Sequence, residues 1–181
     1  MRTRIALALA VALLAATAPA RANPQPWNGS WNTASGVGLG VAIGADIPSS
    51  ARDFKVSPDW GFFVDIPLLE SFHITPSTML YTLRPSNSAV NGPGSQATDV
   101  SLNFKFNIPV NRVDIFAGVT VGITSTESLD PHMGLLAGAT YHFLPNLGLF
   151  AQVNYKYLFR SDDVGGNVHN VQIYAGPMFR F

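Results

Sequence analysis

Along most of this chain apolar residues recur at every second position, the period of an extended strand with an apolar medium on one face and a polar one on the other. Residues 98–109 show it most plainly: Val100, Leu102, Phe104, Phe106 and Ile108 alternate with Asp99, Ser101, Asn103, Lys105 and Asn107. Residues 35–46 set Val37, Leu39, Val41 and Ile43 against Gly36, Gly38, Gly40 and Gly44, and residues 60–68 set Trp60, Phe62, Val64 and Ile66 against Gly61, Phe63 and Asp65. Residues 112–124 face outward through Val113, Ile115, Ala117, Val119, Val121 and Ile123, and residues 132–143 through Met133, Leu135, Ala137, Ala139, Tyr141 and Phe143. Residues 147–159 follow with Leu147, Leu149, Val153, Tyr155, Tyr157 and Phe159 outside. Residues 170–181 end the chain with Val171, Ile173, Ala175, Phe179 and Phe181 on one parity and Gln172, Tyr174, Gly176 and Arg180 on the other. In residues 72–83 two faces compete, Phe72, Ile74 and Leu80 against Met79, Tyr81 and Leu83, and Pro76 interrupts the ladder.

Eight strands are thus expected, and their connections alternate in length. Tight links around Glu70-Ser71, Val110-Asn111 and Pro145-Asn146 join strands two to three, four to five and six to seven, and longer polar segments make the other joins. Short turns on one rim and long loops on the other are the signature of an all-β, eight-stranded antiparallel transmembrane β-barrel with periplasmic turns and external loops. An even strand count places both ends of the wall in the periplasm. A β-sandwich also alternates, but has no reason to sort its loops by rim.

Composition narrows the setting. Residues 1–22 read as a cleaved signal peptide, with Arg2 and Arg4 before an apolar stretch from Ile5 to Ala16 and a small-x-small site at Ala20-Arg21-Ala22. Residues 23–34, with Trp27 and Trp31, form a periplasmic lead-in, and the barrel occupies 35–181. Loss of Arg2, Arg4 and Arg21 leaves eight basic residues against eleven acidic ones, a formal charge of −3 with no basic patch for nucleic acid. The absence of cysteine excludes disulfides and thiolate metal sites. Beyond the signal, no apolar run approaches the roughly 18 residues of a membrane helix.

At the level of pattern the mature chain resembles the small outer-membrane barrels typified by the OmpA transmembrane domain, OmpX and OmpW. The most specific motif is terminal: Tyr174, Gly176, Phe179 and Phe181 match the C-terminal signal of that family, and Pro177 departs from it by removing one ladder donor. The resemblance implies a monomer in the outer membrane of a Gram-negative cell envelope, in contact with lipopolysaccharide, whose last strand is read by the barrel-assembly machinery.

A barrel of eight strands is the smallest whose interior side chains can fill it. Outward Trp60, Tyr157 and Phe159 are expected near the external rim, and Phe106, Tyr141, Phe143, Phe179 and Phe181 near the periplasmic rim, as two aromatic girdles. Inside, Asp65, Lys105, Asp114 and Lys156 form a charged network, with Asn107 opposite Asp114 and Lys105 one diagonal step away. A satisfied polar plug is favoured over the charged constriction of a pore. Eleven inward glycines leave bare backbone against which Phe63, Phe116, Phe150 and Tyr174 are expected to lie.

No cofactor, metal or catalytic residue is expected. The family's lipid A deacylases use a His-x-Ser pair, absent here; His73-Ile74-Thr75 lies at the wrong leaflet. Ser128, Asp130 and His132 read as polar loop residues rather than nucleophile, acid and base, and Asp162, Asp163 and His169 as solvated loop polarity rather than ligands of a divalent ion. Arg52, Lys55, Arg84 and Arg160 are scattered candidates for lipopolysaccharide phosphates. The expected role is therefore structural or surface-interacting, with a narrow pore for small or apolar solutes as the alternative and a lipid A-modifying enzyme behind both.

Overall fold

The computed structural model describes residues 36–48, 54–69, 71–85, 95–125, 129–159 and 168–181. The signal peptide, the lead-in with Trp27 and Trp31, and loop residues Arg52, Ser128, Arg160, Asp162 and Asp163 lie outside them, as do the side chains of Lys55 and Arg84.

Eight long strands form the wall: β1 (Gly38–Pro48), β2 (Ser57–Leu69), β3 (Phe72–Pro85), β4 (Ser95–Val110), β5 (Val113–Ser125), β6 (Leu129–Leu144), β7 (Leu147–Leu158) and β8 (Val168–Arg180). Each pairs antiparallel with its neighbours in sequence. β1 also pairs with β8, through Leu39 opposite Phe179 and Gly44 opposite Tyr174, so the sheet closes and the wall has no free edge. A two-residue strand, Phe54–Lys55, extends the loop end of β3 by pairing with Pro85 and Arg84.

Alternation follows from the pleat. Leu39, Val41 and Ile43 are exposed on the outer face while Gly38, Gly40 and Ala42 are buried inside, and the same parity runs through β4 to β8. In β3 the competition resolves in one direction: His73, Thr75, Ser77, Met79 and Tyr81 are buried inside, leaving Phe72, Ile74 and Leu80 on the outer parity. Val64 departs from its neighbours, being buried despite its outward parity.

Two prolines sit where ladders lapse. β2 and β3 pair from Asp59–Tyr81 to Phe63–Ser77 and resume at Ile66–Ile74, skipping Pro76; β1 and β8 pair at Gly40–Met178 and resume at Ile43–Ala175, skipping Pro177. Each proline lacks the N–H that the skipped bridge would use, and the register survives on both sides.

Several strands run further toward the loop rim than the alternation predicts, β4 beginning at Ser95 and β6 at Leu129. The β4–β5 hairpin also turns one residue later than predicted, at Asn111-Arg112, with Val110 opposite Val113 and Asn111 in the left-handed region that asparagine tolerates. This slides the register by two residues. Asp114 lies opposite Pro109, not Asn107, and Lys105 lies opposite Gly118, four positions from Asp114 along β5.

Candidate functional site

The inward face of the wall is the candidate site, and it divides into three levels. At the middle, aromatic and thioether side chains of β2, β3, β7 and β8 meet beside Ala42 of β1: Ala42, Phe63, Met79, Phe150, Tyr174 and Met178 form one buried cluster. Phe63 and Phe150 pack edge to face at 4.7 Å and Phe150 and Tyr174 at 6.1 Å. The glycines make room for them. A Cβ on Gly40 would enter the ring of Phe63, and one on Gly138 would enter the ring of Phe116, so bare backbone on one strand receives a ring from another.

The turn-side level is an ion network. Asp65 Oδ2 accepts from Arg180 Nη2 at 2.9 Å and lies 2.8 Å from His73 Nδ1, while its Oδ1 accepts from Thr75 Oγ1 at 2.7 Å. This carboxylate therefore ties β2 to β3 and, across β1, to the last strand. Asp114 takes His142, at 2.9 Å, as partner. Lys105 sits over two rings, 4.7 Å from the centre of Phe116 and 5.3 Å from that of Phe63, so its ammonium caps the aromatic plug. A narrow recess at this level is lined by Asp65, Lys105, Asn107 and Arg180 together with plug residues Phe63, Phe116, Phe150 and Met178.

The loop-side level is richer in carboxylates. Lys156 Nζ donates to Asp99 Oδ1 at 2.9 Å and to Ser101 Oγ at 3.1 Å. His132 Nε2 lies 3.1 Å from Ser101 Oγ and its Nδ1 3.3 Å from Thr124 Oγ1. Asp46, Asp59 and Asp130 are also buried here. Gln152 and Asn154 both donate to the Tyr174 hydroxyl, at 2.6 and 2.8 Å, which ties this level to the plug.

Of the residues expected inside, Asp65, Lys105, Asp114 and Lys156 are all buried. They do not form one network: Asp65 and Lys105 lie at the turn side with Asp114, whereas Lys156 pairs with Asp99 at the loop side. Asp130, expected in an external loop, and His132, expected where that loop meets its strand, are both interior residues of β6, which starts three positions earlier than its alternation suggests. His132, Ser101 and Asp99 bring together the side-chain types of a hydrolytic triad, but the Ser101 hydroxyl donates to Asp99 rather than to the imidazole, and His132 Nδ1 stands 3.7 Å from Asp99. Sequence reading singled out neither His73, His142 and Arg180 as network members nor Asp46 and Asp59 as buried acids. Inward parity was the available signal for Asp46, His142 and Arg180, whereas Asp59 precedes the predicted strand and His73 lies in the strand whose face the alternation leaves open.

On the outer face Trp60, Phe106, Tyr141, Phe143, Phe159 and Phe181 are exposed. Tyr157 is half-buried between Phe159, at 4.9 Å, and His169, at 5.0 Å, and His169 also approaches the Tyr155 hydroxyl. At the chain end Phe179 and Phe181 pack at 4.9 Å and the Phe181 N–H donates to Val37 O. Tyr174 points into the plug, and Gly176 admits the Val41 carbonyl where a Cβ would not fit.

No protein-family model and no curated protein matches the sequence. Solved structures do match in shape. Neisserial surface protein A aligns with a TM-score of 0.59 at 17% identity, over 80% of this chain and 96% of that one. Outer membrane protein H from P. aeruginosa, determined in DHPC micelles, gives 0.54 at 16% identity over 81% and 99%, and OprG, an outer membrane protein from Pseudomonas aeruginosa, gives 0.51 at 11% over 81% and 96%. The chain has the fold of the small eight-stranded outer-membrane β-barrels.

Proposed function

We propose that this protein is an integral outer-membrane barrel with a closed interior, a rigid mount that displays its loops to lipopolysaccharide or to an external partner. The observation that carries the closed reading is the plug: Phe63, Phe150, Tyr174 and Met79 occupy the middle of the lumen, with ion networks above and below. Strands of 11 to 16 residues meet or exceed the roughly 9–11 needed to cross the hydrocarbon core. Outside, Leu39, Val41, Leu102, Val119, Leu135, Leu149, Val153 and Ile173 present an apolar band that a soluble protein would have to cover.

Within this reading the exposed aromatics sit in the headgroup zones, and Tyr174, Gly176, Phe179 and Phe181 serve the barrel-assembly machinery as an address. The signal peptide and its cleavage belong to the same proposal, as does a non-catalytic role. Planar-bilayer recording of the purified barrel is the test. A silent membrane is expected, and stable unitary openings would replace the mount with a narrow pore. Lipid A mass spectra that change with expression of the protein would replace it with an enzyme.

A further inference from the structure

Among the described residues, the two ends of the lumen differ in the number of buried carboxylates. Among the described residues, the turn-side level holds Asp65 and Asp114 against Lys105 and Arg180, which balance. The loop-side level holds Asp46, Asp59, Asp99 and Asp130, and of the cations whose side chains are described there Lys156 donates to Asp99 and His132 lies 3.7 Å from the same carboxylate. A buried carboxylate is costly unless it takes up a proton or a cation joins it.

Unpartnered atoms mark the place. Asp46 lies directly opposite Ser57 on β2 and Gln172 on β8, and Asp59, opposite Gly44, is one diagonal step from Asp46 on the same inward face. Asn170 Nδ2 donates to Asp46 Oδ1, which turns the amide oxygen of Asn170 away from that bond. Both oxygens of Asp59, Ser57 Oγ, Asn170 Oδ1 and the amide oxygen of Gln172 are buried without a hydrogen-bond partner, and the amide nitrogen of Gln172 faces the Asp46 carboxylate. All five of these unpartnered atoms are oxygens. Gln172 is fully buried and Asp59 nearly so, at 1% exposure.

Carboxylate, amide and hydroxyl oxygens converging from three adjacent strands form a hard donor set, with neither sulfur nor imidazole in it. We propose that Asp46, Asp59, Ser57, Asn170 and Gln172 bind one calcium ion at the external mouth of the lumen, tying β1, β2 and β8 together where the barrel closes. Calcium suits the set better than magnesium because it accepts six to eight oxygens in loose geometry and exchanges its water readily.

The test uses the folded full-length mature barrel in detergent micelles, titrated with Ca²⁺ alone by calorimetry and with Tb³⁺ by luminescence. Tyr81 and Tyr174, on the strands flanking Asp59 and Gly44, serve as sensitising rings. One site is expected, with Asp59→Asn weakening it by about tenfold or more and Gln172→Glu, which adds a carboxylate, tightening it. Heat-modifiable gel mobility verifies that each variant is folded. Absence of binding to the wild-type barrel would overturn the proposal. So would binding unchanged in both variants but lost in Asp162→Asn/Asp163→Asn, because the ion would then belong to the fourth loop. Tighter binding of Mg²⁺ than of Ca²⁺ would overturn the choice of ion.

Discussion

Phe63 of β2 and Phe150 of β7 meet edge to face across the interior, with ring centres 4.7 Å apart and both side chains buried. Their strands are not neighbours in the sheet, so the contact spans the lumen and stands in the path of any solute. Lys105 lies over one of the two rings from the turn side, and Tyr174 packs on the other.

Truncating the pair should therefore do two things. Phe63→Ala with Phe150→Ala removes two large core side chains, each worth about 3–5 kcal/mol in a core that cannot collapse. It should also convert a silent barrel into one that conducts in a planar bilayer. A double variant that folds and stays silent would assign closure to the ion networks rather than the rings.

Asp65 is expected to be the most costly single interior charge to remove. Asp65→Ala leaves the Arg180 guanidinium buried without its anion and deprives His73 and Thr75 of their acceptor, so unfolding in urea should shift by about 3–5 kcal/mol. Arg180→Met, which replaces a charge with an apolar chain, should cost less on the lumen side but loosen the tie to the last strand. Equal, small shifts for both would reduce this network to hydrated polarity.

How much of this was legible in the sequence depends on the period. Alternation reveals which face a residue takes, because lipid outside and side chains inside impose opposite demands at successive positions, and for most strands that was enough. It is silent about register, since a slip of two residues keeps every side chain on its face. The expected partnership of Asp114 with Asn107 and Lys105 failed for that reason: the turn moved by one residue to Asn111-Arg112, and Asp114 found His142 on the next strand instead. Partners across the lumen are harder still. Neither Arg180 with Asp65 nor Lys156 with Asp99 can be read from spacing, because the tilt of the wall decides which levels face one another. In β3, where Met79 and Tyr81 rival Ile74 and Leu80 in hydrophobicity, the sequence lacks the contrast that assigns a face. There the plug, which needs Met79, decides it.

The interlocking of glycine and ring predicts a coupled pair. Gly40→Ala should destabilise the barrel by about 1–3 kcal/mol, since the new methyl group enters the space of the Phe63 ring. Phe63→Leu in the same chain should recover part of the loss. A double-mutant cycle on unfolding free energies measures the coupling, and strict additivity would show that the ring simply moves aside.

The outer face offers the sharpest test of the solvent this fold was built for. Leu135, near the middle of β6, is 62% exposed, and Val110, at the turn end of β4, is 48% exposed. In water, arginine at either position would be nearly neutral, because neither side chain packs against the core. In a bilayer the cost depends on depth: about 2–4 kcal/mol at the midplane, falling to about 0–1 near the interface. Leu135→Arg should thus lower the folding free energy in lipid vesicles by several times the effect of Val110→Arg, whereas both should fold alike in a detergent that wraps the wall loosely. The difference between the two positions carries the argument, because any general effect of an added charge cancels in it. Equal costs at both depths would mean that the apolar band of this barrel does not face lipid.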